Sequence, residues 1–96
     1  MCSLVEEGVR SAKQRFPAQI ETIDALVQSS ESFRELCEEL AIAETALAGV
    51  ERCSETMRAE RRLEWLSYIR GALSAIEFEL HRMNVVPIQR RNRKQP

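Results

Sequence analysis

Glycine and proline are scarce, with three of each in 96 residues. That scarcity argues against a sandwich or barrel, which needs turn residues at short, regular intervals. Aromatic residues make up only 5% of the chain. There is one histidine, His81. No apolar run approaches the ~18 residues that a membrane span needs, so no membrane partner is expected. The opening MCSLVEEGVR places Glu6 and Glu7 where an export signal would carry bases and an apolar stretch. No export is expected. Three cysteines cannot all pair within the chain, and Cys2, Cys37 and Cys53 show neither CxxC nor histidine spacing. Reduced thiols in a cytoplasmic protein are the expectation.

What remains is helix composition, with 30% charged residues. The net charge of −1 is unevenly distributed. Arg90, Arg91, Arg93 and Lys94 lie near the end, and the rest of the chain holds 10 basic against 15 acidic residues, a net of −5. The body is acidic and the tail basic. A chain this long buries only ~60–65% of its unfolded surface, so a helical hairpin of this length is expected to gain core by dimerising.

Leu4, Val5, Val9 and Ala12 predict a short, weak first helix, with Gly8 counting against it. Phe16-Pro17 ends it, because a residue before proline disfavours the α region. Pro17 then opens a second helix, where its missing N–H is harmless. Phe16 can fold back on Ile20 as a hydrophobic staple. Ile20, Ile23, Leu26 and Val27 form that helix's apolar stripe. QSSES breaks it. Ser32 and Glu35 have the spacing of a capping box, with Ser30 or Ser29 as alternative caps. Phe33 is the first core residue of the next helix.

Two heptad stripes follow. Phe33, Leu36, Leu40, Ala43, Leu47 and Val50 form the first, and Leu66, Ile69, Leu73, Ile76, Leu80 and Met83 the second. One straight helix would put them on nearly opposite sides, since Val50 to Leu66 is about 4.4 turns. A reversal within residues 52–56 resolves this, with Ser54 capping the following helix. The stripes then face one another antiparallel, and the Ile20–Val27 helix covers Leu80 and Met83. Asn84 and Pro87 predict the end of the helix. The expected organisation is a single helical domain over 1–86 and a disordered basic tail over 87–96.

The chemistry-bearing residues do not converge. His81 has Glu77 one turn back and no further partner, as a histidine on a helix surface would. Cys37 beside Leu36 reads as a small hydrophobe, while Cys53 near the turn is more exposed. Glu38-Glu39 and Glu60/Glu64 are solvated faces, without the ExxH of di-iron bundles. No phosphate loop, GxSxG or HExxH occurs. No enzyme, metal or cofactor is expected. Trp65, Tyr68 and Phe78 lie off the second seam, so that helix is apolar on more than one face. Either the core stripe is wide and the N-terminal helices cover it, or these are the candidate partner-binding residues, for a second copy in a four-helix dimer or for another protein. Arg90, Arg91, Arg93 and Lys94 form the alternative site, giving weak, salt-sensitive nucleic-acid association. VVPI, just before them, could also dock as an extended peptide.

Phe16, Pro17, Ile23, Leu26, Phe33, Leu36, Leu47 and Glu51 carry a resemblance to the YdcH-like small bacterial proteins. It covers residues 16–51: a Phe-Pro start, an Ile-x-x-Leu helix, a polar break, then Phe-x-x-Leu and a heptad ending in Glu. The resemblance implies a small helical hairpin and brings no catalytic residues. The chain departs from the family's short, Lys-rich second helix, being rich in Arg and Glu, longer, and carrying Trp65 and Tyr68.

Overall fold

The computed structural model describes residues 3–94, with side chains described through Met83. Among these residues the protein is all-α and has no strand. Helix α1 spans Leu4–Arg15, α2 Ile20–Ser29, α3 Glu31–Ala48 and α4 Glu55–Lys94. Short 3₁₀ turns, Pro17–Gln19 and Gly49–Arg52, join α1 to α2 and α3 to α4. At 1.5 Å per residue α4 is about 60 Å long, and it sets the 64 Å long axis of the molecule.

α1 is a full helix rather than a weak one. The Glu6 N–H donates to Ser3 Oγ at 3.0 Å, and the Ser3 N–H reaches back to Glu6 Oε1. This reciprocal box satisfies donors that the first turn leaves open. Glu6 and Glu7 also suit the positive end of the helix dipole. Gly8, expected to weaken the helix, is what seats it. A Cβ there would overlap the Cys37 carbonyl oxygen of α3. Hydrogen in place of a methyl lets the two backbones close. Ser11 Oγ then donates to Glu44 at 2.7 Å, Arg15 adds a 3.3 Å contact to the same carboxylate, and Lys13 pairs with Asp24 of α2 at 2.7 Å.

Phe16 ends α1 and packs against the core, while Ile20 is 40% exposed, so the expected Phe16–Ile20 staple is not what fixes this corner. The α3 cap is Ser30, whose side chain accepts from the Phe33 N–H at 3.1 Å. Ser32 only meets the Ser30 hydroxyl. The Arg34 guanidinium donates to the Val27 carbonyl at 2.6 Å, tying α3 to the end of α2. Ser54 precedes α4, and its carbonyl accepts from Met57 and Arg58.

The core gathers Ala12, Ile23, Leu26, Phe33, Cys37, Leu40, Ala43, Ile69, Ala72, Ile76 and Leu80. It differs from two facing heptads in a definite way. Cys37 is fully buried, although it lies off the first stripe, while Leu36 and Leu47 on that stripe are only half-buried. The cause is α1, which lies along α3 and moves the buried face of α3 toward it. On α4 the buried face centres on Ile69, Ala72, Ile76 and Leu80, leaving Leu66 and Met83 exposed. Leu80 is fully buried, whereas Met83, expected to be covered with it, is 41% exposed.

α4 is helical through Asn84 and Pro87, where the sequence signals end it. Asn84 takes no left-handed cap conformation, since no residue of the described backbone outside glycine has a positive φ. Proline within a helix forgoes one hydrogen bond, and the chain continues here regardless. The basic side chains Arg90, Arg91, Arg93 and Lys94, and the separate tail assigned to them, lie outside the described side chains.

Candidate interaction surface

α4 buries one face and leaves the other bare. Tyr68 is 53% exposed and Phe78 63%, on the side of α4 away from Ile69, Ile76 and Leu80. Leu63 and Leu66 are also exposed, on the helix's other flank. Large apolar side chains in water are common singly and informative when they line up. Tyr68 and Phe78 do line up. At 3.6 residues per turn they fall on one strip with Gly71 and Ala75 between them.

Trp65 belongs elsewhere. It is half-buried and packed against the core, with its ring 5.8 Å from that of Tyr68 at a 50° tilt. It backs Tyr68 from below and does not share the outer strip. Of the three residues singled out from sequence, the structure thus puts Tyr68 and Phe78 on one strip and Trp65 at its inner edge. The sequence reading missed Gly71 and Ala75. The signal was the spacing Tyr68-Gly71-Ala75-Phe78, which repeats the heptad of the buried seam on a second face.

On one side the strip borders α3, where Leu36 and Glu39 complete a shallow groove with Tyr68, Gly71, Ala72 and Ala75. Past Phe78, Gln19, Ser74, Glu77 and His81 line a second depression. Charged residues flank both ends. Glu64 pairs with Arg61 at 3.0 Å, and Arg82 with Glu79 at 2.6 Å. Exposed pairs of this kind contribute little to stability.

The remaining reactive groups are dispersed. Cys37 is buried between α1 and α3, and desolvation pushes its thiol up to about 11, which keeps it protonated and unreactive. Cys53 is half-buried beside the turn, and its carbonyl accepts from Arg58. Among the described residues no three metal-ligating side chains converge, and no helix is long and apolar enough to cross a membrane. The chain matches no family model, no curated protein and no solved structure.

Proposed function

We propose that this chain is a small non-enzymatic protein–protein interaction module, an adaptor or regulator, acting in the cytoplasm as a homodimer. α3 and α4 form its antiparallel hairpin, and the outer strip of α4 is its working surface. One observation carries this reading. Tyr68 and Phe78 remain in water on a common strip of a helix that buries Ile69, Ile76 and Leu80 on another face. The hairpin is supported by the brief connection over residues 49–54 and by Leu36 and Glu39 lining one groove with Tyr68 and Ala75. The resemblance to the YdcH-like proteins over residues 16–51 bears on the hairpin alone. The cysteines suit a reducing compartment, since Cys37 and Cys53 are both free thiols.

The alternative is weak nucleic-acid association through Arg90, Arg91, Arg93 and Lys94, and one experiment separates the two. Affinity capture from cell extract compares the full chain, a Tyr68→Ser/Phe78→Ser variant and a chain ending at Ile88, with and without nuclease, at low and moderate salt. The interaction reading expects a protein held by the full and shortened chains and lost from the double variant. Material lost with the tail, with nuclease or with modest salt would instead establish the nucleic-acid reading.

A further inference from the structure

Gly71 has no reason within its own chain to be glycine. It stands inside α4, where glycine is the poorest helix former after proline. Its φ is not positive, and a Cβ there would meet nothing within 4 Å beyond its own stretch of helix. Neither backbone conformation nor internal packing calls for it. A close approach from outside the chain would.

We propose that the occupant of this strip is a second copy of the chain, laid antiparallel along α4 about a two-fold axis between Gly71 and Ala75. The inference rests on the interaction-module reading and specifies its geometry. The residues of the strip are Glu64, Tyr68, Gly71, Ala75, Phe78 and Arg82. They fall within about 80° of helix circumference at 3.6 residues per turn. Their spacing, 4-3-4-3-4, reads the same in both directions. A two-fold axis at its centre brings each residue against its mirror position in the second copy, as an isologous interface requires.

The three resulting pairings are chemically matched. Tyr68 meets Phe78 of the second copy, ring against ring, and both are exposed in the single chain. Gly71 meets Ala75, small against small, which allows the backbones to approach closely. Glu64 meets Arg82, opposite charges closing both ends. Glu64 then lies between Arg61 of its own helix and Arg82 of the second copy, and Arg82 between Glu79 and the second Glu64. A parallel pairing would stack Glu64 on Glu64 and Arg82 on Arg82, with like charge at both ends. The charges therefore select the antiparallel arrangement. The groove edge formed by Leu36 and Glu39 gives the second helix a wall.

The test uses the full chain. Sedimentation velocity from micromolar to near-millimolar concentration should show a dimer, and Gly71→Glu should weaken it by roughly 100-fold or more, as loss of a central contact does. Circular dichroism checks that this variant stays helical, which the open space at Gly71 permits. Orientation is read by oxidative cross-linking in a Cys2→Ser/Cys53→Ser background. Gly71→Cys mixed with mass-tagged Ala75→Cys should cross-link faster than either protein alone. Faster cross-linking of each alone would overturn the antiparallel arrangement. A dimer untouched by Gly71→Glu would overturn this surface. A monomer at every concentration would overturn the second copy as occupant and leave the interaction module to be judged by the Tyr68→Ser/Phe78→Ser capture.

Discussion

Gly8 and Gly71 each sit inside a helix, and neither uses a positive φ. At both, alanine would be the better helix former by about 1 kcal/mol. Their surroundings are opposite. Gly8 is buried, with the Cys37 carbonyl seated where its Cβ would be. Gly71 is exposed and faces open space. The first glycine shows what this chain does with the residue when the partner helix is its own. The second has the same residue on an equally regular stripe, with no partner helix in the chain. The comparison teaches that a helix-interior glycine marks a contact and leaves open whether the contact is within the chain.

The larger of the two glycine effects is expected at Gly8. Gly8→Ala gains helix propensity but drives a methyl into the α3 backbone, which cannot yield as a flexible side chain would. The expected loss is ~3 kcal/mol, at the upper end for overpacking, read from thermal unfolding by circular dichroism. A stable Gly8→Ala protein would mean that α1 does not sit on α3 as described, and the contrast between the two glycines would collapse.

Next in size is a pH effect at the same contact. Burial raises the Cys37 thiol from 9.0 to about 11 in the folded chain. Below pH 9 the thiol is neutral in both states, and its full contribution to stability is present. Between about pH 9 and 11 only the unfolded chain loses the proton, so stability falls as pH rises, by on the order of 2 kcal/mol in all. Denaturant midpoints of the wild type and Cys37→Ala across that range should converge, because only the wild type carries this term. Parallel curves would place the thiol in water.

Gly71→Ala should move in the opposite direction to Gly8→Ala. In dilute solution it should raise stability by about 1 kcal/mol, the helix-propensity difference at an open site. At high concentration the added methyl intrudes on the paired surface, and the concentration dependence of the melting temperature should shrink. A gain of equal size at all concentrations would leave Gly71 with no role.

The distribution of these effects also shows how much could be read from the residues alone. The all-α class, the α2 stripe at Ile23 and Leu26, Phe33 as the first core residue of α3, and the start of α4 after Ser54 are local matters of apolar period and capping, and they are legible, whereas the α3 cap is Ser30 rather than the Ser32 that the capping-box spacing favours. The buried face of α3 was not. Heptad spacing places Leu36 on a seam, but α1 decides that Cys37 is buried instead. Gly8 weakens α1 in isolation, and only the neighbouring α3 backbone makes it the residue that fits. Tyr68 and Phe78 could be singled out by their position off the seam. Trp65 could not be separated from them, because 3.6-residue geometry does not say how far the core wraps around α4.

The smallest expected effect completes the contrast. Phe78→Ala removes a ring that is 63% exposed and stands clear of the core. Exposed substitutions of this kind usually stay within about 0.5 kcal/mol, and alanine's better helix propensity offsets the little packing the ring provides. Phe33→Ala removes a ring of equal size that is fully buried, and losses of ~3–5 kcal/mol are usual for that change. The two variants, unfolded side by side in dilute solution, should differ by most of that range. The same Phe78→Ala protein should lose self-association, although its own fold is intact. Stability and assembly would then part at one residue, as they should if the ring is kept for a surface the single chain leaves bare. If Phe78→Ala instead unfolds the protein, the ring belongs to the core, and the outer strip of α4 is not a surface at all.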